Sequence, residues 1–585
     1  MTNHSQLSPT GAQPWWQTTV FYQIYPRSFA DSNGDGIGDL AGINSRLDYL
    51  QDLGIGAIWL SPHYPSPLLD CGYDVADYTG VAPEYGTLDD FTHFLDAAHQ
   101  RDIRVVLDLV LNHTSDQHPW FQDARRGRQQ PHHDWYVWHP GRDGGPPNNW
   151  NSAFGGSAWE FVPELGLYYY HYFLKQQPDL NWRHPAVRQA MFAAARFWLD
   201  LGVDGFRLDA INTLFEDPAL TDHTTQMSQR DLFALMALAS SDEQRQQVVE
   251  QWRLMYQHQV DQPGVHALMS DLRTMIDAYP GAMLVGETDD IAYMGNGHNE
   301  LHLVFNFPLM QTERLTPAWV RANQAARLTA LPAGGWPCNT LGNHDSSRVY
   351  TRFGNGKHDA ALARLSAALV LTLQGTPFLY NGEEIGMTDL LLDDVSQFRD
   401  LLGLQLYQMA HAEFGLPAEV AVAHAAHHGR DKCRTPLQWT PAPQAGFCPP
   451  SVQPWLPVNP NAAQVVNVAE QADDPASLLN FYRRLLAVRR QTPALQTGAY
   501  VPLHESADTY LAFLRQLDQT EASCLVVLNM ADQAQDLTFD LAAGQVQCLF
   551  SSHERPADPQ ALRHLTLAPF EVFIGALNRK SQVRL

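Results

Sequence analysis

The chain has 585 residues, 45% of them apolar and 17% charged, a globular composition that leaves little room for extended disorder. Acidic residues outnumber basic ones 63 to 38, for a formal charge of −25; a polyanionic partner is repelled across most of the surface, which argues against nucleic acid and anionic membrane. At roughly 150 residues per domain the length points to about four units, fewer if one of them is an α/β barrel of about 250 residues or more.

The 15 Trp and 21 Tyr suit a wet cleft that stacks on flat faces such as those of sugars. Six cysteines, Cys71, Cys338, Cys433, Cys448, Cys524 and Cys548, lack CxxC spacing, so reduced thiols are expected rather than a disulfide scaffold or a zinc site. The opening Met-Thr-Asn-His-Ser-Gln-Leu has no basic start followed by an apolar stretch, and the most apolar helix-like run, 361–373, is broken by Arg364. A soluble, cytoplasmic protein without a membrane partner is expected; its oligomeric state, monomer or homodimer, is left open.

In chain order, short apolar β-rich runs at 20–25, 57–60, 105–111, 205–209, 283–287, 303–307, 338–341 and 377–380 alternate with helical patterns. Helices are expected at 40–53, closed by Gly54, at 88–100, and at 184–201, closed by Gly202. Eight strands with helices between them favour an α/β fold, a (β/α)8 TIM barrel. The Gly, Pro, Trp and His-rich stretch 113–182 is too long for a connection and reads as a domain inserted between strand 3 and helix 3. Alternating runs such as 510–514 and 524–528 read as a C-terminal β-sandwich. The expected units are therefore a barrel over 1–112 and 183–496, an insertion over 113–182, and a β tail over 497–585. A Gln-rich segment, 220–260, follows strand four on the mouth side, either shaping an acceptor site or forming a solvated helical pair.

In a βα barrel the reactive residues stand at the C-terminal ends of the strands. Here those ends read Asp-Leu-Val-Leu-Asn-His (108–113), Phe-Arg-Leu-Asp (206–209), Val-Gly-Glu (285–287) and Gly-Asn-His-Asp (342–345). Asp209, Glu287 and Asp345 lie far apart in sequence, and a barrel mouth would unite them. Convergent carboxylates with two histidines and an arginine suit hydrolysis of a glycosidic bond, one carboxylate attacking and another donating a proton. Arg207, two residues before Asp209 on a strand, shares its face and is expected to hold it ionised. Glu287, at an apolar strand end, is expected to be desolvated as a general acid.

The loop Asp-Ser-Asn-Gly-Asp-Gly-Ile-Gly-Asp (31–39) places oxygen ligands from Asp31, Asn33, Asp35 and Asp39 at relative positions 1, 3, 5 and 9, with Ile37 offering its carbonyl. Relative position 12 is Gly42 and no helix enters, so the loop is not an EF-hand. A structural Ca2+, or Mg2+, is expected there, against the alternative of a metal-free Asx and Gly turn.

The four strand-end motifs resemble, in order, the signature regions of the α-amylase family, glycoside hydrolase family 13. Gly-Ala-Ile-Trp-Leu-Ser-Pro (56–62) and Gly-Thr-Pro-Phe-Leu-Tyr-Asn-Gly-Glu-Glu-Ile-Gly-Met (375–387) resemble its second and eighth strands, so the likeness covers nearly the whole chain. The resemblance implies a retaining double displacement, with Asp209 as nucleophile, Glu287 as acid and base, and Asp345 holding sugar hydroxyls. Arg207, His113 and His344 would line the same sugar subsite. Gln-Pro-Asp-Leu-Asn (177–181), which begins with Gln177, is similar to the form found in oligo-1,6-glucosidases and α-glucosidases. Asp70 and Tyr73, with Arg434 of Arg-Asp-Lys-Cys-Arg (430–434), resemble the residues that close the pocket around a non-reducing terminal glucose. An Asp70 and Arg434 pair would grip hydroxyls of that ring. Phe154 and Phe173 resemble aromatic walls. In this group the residue after the nucleophile is Val where α-1,6 bonds are favoured and Ala or Thr where α-1,4 bonds are; Ala210 therefore implies maltose-type or sucrose-type substrates. The implied activity is an exo-acting α-glucosidase on small oligosaccharides, with a transglucosylase, a sucrose isomerase or an oligo-1,6-glucosidase as alternatives. The same group implies calcium or magnesium at loop 31–39 and no organic cofactor.

Overall fold

The computed structural model describes residues 13–238, 241–517, 523–556 and 558–577. Eight parallel strands form where the sequence places them: β1 (Phe21–Ile24), β2 (Ala57–Leu60), β3 (Arg104–Val110), β4 (Gly205–Asp209), β5 (Met283–Gly286), β6 (Leu303–Val304), β7 (Cys338–Thr340) and β8 (Thr376–Tyr380). They pair in the order β7-β8-β1-β2-β3-β4-β5-β6, a nearly closed barrel. At the seam between β6 and β7, the Asn306 amide donates to Asn339 Oδ1 at 3.3 Å. The strands read as apolar runs because both faces are covered. Phe21, Trp59, Val106, Val285, Phe305 and Phe378 form one buried cluster, Phe21 and Phe378 stacking at 4.2 Å, and a much larger cluster spans the helices outside.

Two expected elements come out shorter or divided. The run 303–307 is strand only over its first two residues, because Phe307 and Pro308 open a short helix, Phe307–Gln311. The helix expected at 40–53 is two, Leu40–Asn44 and Leu47–Leu53, with the Ser45 hydroxyl folded back onto the Gly42 carbonyl at 2.7 Å where the first one ends.

Three additions surround the mouth. The insertion after β3 carries a three-stranded antiparallel sheet of Trp138–His139, Leu167–Tyr170 and Trp159–Val162. The Gln-rich segment after β4 is a helical pair, Gln229–Leu238 and Asp242–Tyr256. The insertion holds it by hydrogen bonds from Trp150 Nε1 to the Thr221 carbonyl (2.8 Å) and from the Gly156 amide to Gln229 Oε1 (2.9 Å). After β8, helices Leu401–Gln408 and Ala418–His428 form a hairpin, joined in part by a π turn at Met409–Glu413.

Beyond the barrel, a six-stranded antiparallel sheet faces a two-stranded one, Gln535–Leu537 with Leu565–Leu567, and a separate core of Leu525, Val527, Leu537, Leu565 and Phe573 fills the space between them. Leu511, Phe513, Val526 and Ile574 join the main barrel core instead. Two buried arginines tie this junction: Arg515 donates to the carbonyls of Thr372 and Leu373, where helix Asp359–Thr372 ends, and Arg489 donates to Leu371 and Gly375. They satisfy helix-end carbonyls that would otherwise be orphaned away from water. Among the described residues no helix is long and apolar enough to cross a membrane.

Strand β4 meets β5 so closely at Gly205 (φ +147°) that an added Cβ would stand 2.1 Å from the Met283 carbonyl oxygen. Gly205→Ala is expected to cost about 2 kcal/mol or more and to lower the melting temperature. Gly127→Ala, whose Cβ meets nothing within 4 Å, is expected to leave it unchanged; differential scanning fluorimetry of both checks this.

Candidate active site

Strand register assembles the first half of the site. Asp108 on β3 lies directly beside Arg207 on β4, and Asp209, two residues on, shares the face of Arg207. Arg207 is 1% exposed; its Nη1 donates to Asp108 Oδ1 and Asp209 Oδ1, both at 2.6 Å, while Nη2 pairs with Glu287 Oε2 at 2.8 Å. Glu287 Oε2 also accepts the amide of Ala210 at 3.0 Å. Ala210 holds a left-handed conformation (φ +41°) that turns the chain sharply after Asp209. Asp108 accepts further hydrogen bonds from Trp59 Nε1 and the Tyr73 hydroxyl, each at 3.2 Å.

Three carboxylates therefore share one guanidinium in a desolvated site. Burial pushes the Asp108 carboxyl up to about 6, with Arg207 opposing and Glu287 adding to the rise. Burial also raises Asp209 well above the carboxylate range, again against Arg207. Arg207 favours the ionised form of Asp209, in the expected sense, but its one charge is divided among three acids and burial works against it. Glu287 departs from its expected setting. Its side chain is 24% exposed and takes two donors, rather than sitting desolvated at an apolar strand end.

The second half surrounds Asp345. Arg434, fully buried, donates Nη2 to Asp345 Oδ1 and Nε to the His344 carbonyl (2.9 Å). His344 Nε2 stands 3.3 Å from Asp345 Oδ2 and 2.7 Å from the Tyr73 hydroxyl, with Nδ1 facing the Gln23 amide at 2.7 Å. Burial alone would raise Asp345, but His344, Arg434 and Arg430 beside it hold it well below the usual carboxylate range. Burial pushes His344 down to about 3 and His113 to about 4, so both imidazoles are neutral near pH 7.

The expected Asp70 and Arg434 pair does not form. Asp70 Oδ1 accepts Arg430 Nη2 at 2.8 Å, and Arg430 Nη1 stands 3.6 Å from Asp345 Oδ1. The turn Asp431–Cys433 sets the two arginines on different sides, Arg434 beneath Asp345 and Arg430 between Asp345 and Asp70. Asp70 Oδ2 accepts from Gln177 Nε2 at 3.0 Å, and that amide also faces His113 Nε2 at 2.9 Å. Phe173 lies edge-on to His113 (5.3 Å), and Phe154 lies 6.0 Å from Phe173 and 5.8 Å from the Arg430 guanidinium. Every expected catalytic and sugar-contacting residue therefore falls into one connected network. Sequence reasoning missed Asp108, Gln23, Arg430 and Asp400 in this network. It also missed Asp74, which takes the Ser66 hydroxyl and the Leu69 and Asp70 amides and so fixes the turn that presents Asp70. Arg430 and Asp108 stand inside the motifs already singled out, and only the three-dimensional pairing selects them.

Loop 31–39 folds its acidic groups onto its own backbone. Asp31 accepts the Gly34 and Gly36 amides, Asn33 the Asp35 amide, Asp35 the Ile37 amide, and Asp39 the Ser32 amide and hydroxyl and the Gly42 amide. Asp31 makes two such bonds at 2.6 and 2.8 Å and keeps lone pairs of hard oxygen free for a cation. Among the described residues no three His, Cys, Asp or Glu side chains converge as a metal cluster.

The neutral imidazoles each add an acid-sensitive contribution to stability. His63, His302 and His344 are pushed by burial to about 3, and His113, His118 and His171 to about 4. In the unfolded chain each binds a proton from about pH 6.5. Between these values the unfolded state holds more protons on these residues, so the stability they contribute is full above about pH 6.5 and is lost as pH falls towards 4. The raised carboxyls of Asp74 and Asp108, about 6, and of Glu383, about 8, act in the opposite sense, taking up protons first in the folded state as pH falls.

Comparison with known proteins places this geometry. The profile of the α-amylase catalytic domain matches residues 23–498, and that of the maltogenic amylase C-terminal domain matches residues 500–574. The oligo-1,6-glucosidase of Parageobacillus thermoglucosidasius is 36% identical over 95% of this chain and 98% of its own, and the α-glucosidase of Pediococcus pentosaceus 34% identical over 96% and 99%. The crystal structure of the trehalulose synthase of Pseudomonas mesoacidophila MX-45 superposes with a TM-score of 0.85 at 36% identity, covering 97% of this chain and 100% of that one. The chain belongs to the α-amylase family, glycoside hydrolase family 13, as an enzyme of its glucosidase and transglucosylase group.

Proposed function

We propose that this enzyme is an exo-acting retaining α-glucosidase that releases glucose from the non-reducing end of short α-glucosides, α-1,4-linked ones or sucrose. The observation that carries the reading is the charged wall formed by Asp70, Arg430 and Asp345, backed by Gln177. Such a wall suits charge-assisted hydrogen bonds to the hydroxyls of one terminal ring, which supports recognition of a chain end. Asp209 attacks the anomeric carbon while Glu287 passes its proton to the departing glycosidic oxygen, giving a glucosyl ester on Asp209. Glu287, now a carboxylate, then takes a proton from water as that water attacks the ester carbon, and Asp209 leaves. One guanidinium contacting both carboxylates supports this pairing. It keeps them on one face of the mouth.

A transglucosylase uses the same ester but delivers glucose to a sugar hydroxyl. The likeness to a trehalulose synthase keeps that reading as the second. Product analysis on maltose, isomaltose and sucrose separates the two: free glucose is expected to dominate, whereas new disaccharides in excess would assign a transglucosylase, and oligosaccharide release from within long α-glucans would overturn the exo reading. Asp209→Asn is expected to lower kcat/KM at least about a thousandfold; full activity in that variant would sink the mechanism.

The linkage reading rests on Ala210, whose small side chain follows the nucleophile and whose amide holds Glu287. Ala210→Val is expected to lower the ratio of maltose to isomaltose kcat/KM, and an unchanged ratio would overturn the α-1,4 preference. At loop 31–39 we propose a structural calcium, or magnesium, held by Asp31, Asn33, Asp35, Asp39 and the Ile37 carbonyl. Its effect would be to brace the loop against the segment that carries Phe447 and Trp455, whose backbones bond to Asp31 and Gly36. Chelation by EDTA is expected to lower the melting temperature of the wild-type protein and to leave Asp31→Ala unaffected.

A further inference from the structure

Arg430 enters the sugar pocket from the base of the hairpin made by helices Leu401–Gln408 and Ala418–His428. The carboxylate directly behind it belongs to Asp400, the residue that caps the first of these helices by accepting the Leu402 amide at 3.3 Å. Asp400 accepts Arg430 Nη2 at 2.7 Å, Nε at 3.1 Å and the Arg430 backbone amide at 2.9 Å. One carboxylate thus fixes both the main chain and the guanidinium of Arg430. Asp431 returns the arrangement, its two oxygens accepting the Asp400 amide at 3.0 and 3.1 Å and one of them the Arg399 amide at 2.8 Å.

We propose that Asp400 is a positioning residue for sugar binding, aiming Arg430 at the terminal glucose without touching that glucose itself. The proposal rests on the exo-glucosidase reading above. Three carboxylates surround Arg430, and their exposure divides them: the Asp345 side chain is 32% exposed and Asp70 8%, whereas Asp400 is fully buried. Asp345 and Asp70 face the pocket side, and Asp400 closes the far side. A guanidinium is planar, so a carboxylate held side-on at Nε and Nη2 determines the direction in which Nη1 and the free edge of Nη2 point. Here they point to Asp345 and Asp70, which leaves the arginine between the two acids rather than collapsed onto either.

Removing that third contact has a definite consequence. With Asp400 neutral, Arg430 is released to complete its ion pair with Asp345, now 3.6 Å away, and both groups become occupied with each other instead of with sugar hydroxyls. A long side chain freed from its clamp also has to be re-ordered at each binding event. Ground-state binding of glucose should weaken more than the chemical step, which takes place at Asp209 and Glu287.

The test is a double-mutant cycle of Asp400→Asn and Arg430→Lys. Glucose dissociation constants come from calorimetry, kcat and KM from maltose hydrolysis, and the melting temperature is recorded for each variant. Asp400→Asn keeps the helix cap and is expected to weaken glucose binding and raise KM about tenfold or more, with kcat changed less than about threefold. In the Arg430→Lys background the same change is expected to add less than about twofold, because the group it positions is gone. Equal losses in both backgrounds, or glucose binding unaltered by Asp400→Asn, would overturn the proposal, whatever the shift in melting temperature. If Asp400→Asn does not fold, Asp400→Glu, which keeps the charge and moves it by one methylene, takes its place in the cycle under the same criteria. A wild-type protein that binds no glucose would overturn the exo-glucosidase reading and this proposal with it, whereas wild-type binding with an uncoupled cycle overturns this proposal alone.

Discussion

The active centre is organised by a shortage of positive charge. Arg207 is the single guanidinium for Asp108, Asp209 and Glu287, all within 2.8 Å of its terminal nitrogens. Water cannot screen this arrangement, because Arg207 is 1% exposed. Burial therefore raises Asp108 and Asp209 against the one guanidinium that opposes it. The barrel register that sets Asp108 beside Arg207 thus decides which charges the carboxylates feel as well as their positions.

Around Asp345 the balance is reversed. Arg434 and Arg430 both reach it, the imidazole of His344 lies alongside, and its carboxyl stays ionised far into acid. The two halves meet at Tyr73, whose hydroxyl touches Asp108 on one side and His344 on the other. In one half burial outweighs the positive charge supplied, and in the other the positive charge outweighs burial. Their difference follows the number of guanidinium groups supplied to each and the greater exposure of Asp345, 32% against 0% for Asp108.

Much of this architecture is legible in the amino-acid sequence. All eight strands are visible there because a strand covered on both faces must be apolar along its length, and the polar residues that end it then stand out. Asp209, Glu287, Asp345, His113 and His344 are such endings. Arg430 is not legible, because two arginines stand four residues apart in one motif and only the turn at Asp431–Cys433 decides which meets Asp70. Asp108 escapes notice for a related reason. It lies inside its strand rather than at the end, and its place in the site depends on which residue of β4 stands opposite. Asp400 sits 30 residues from its partner at the foot of an excursion with no sugar motif of its own.

Arg515 and Arg489 carry a consequence for how the molecule can be divided. Arg515 stands on the strand Tyr510–Gln516 of the C-terminal sheet, yet its donors serve carbonyls of the barrel helix Asp359–Thr372 and the residue after it. Helix ends are where loops and inserted modules are usually tolerated, but this one is finished by a side chain from another domain. Trimming the tail would leave buried carbonyls of the barrel without donors. The C-terminal sheet is therefore an integral part of the barrel's own hydrogen-bond inventory, and any exchange of this module between relatives would have to bring an arginine to the same place.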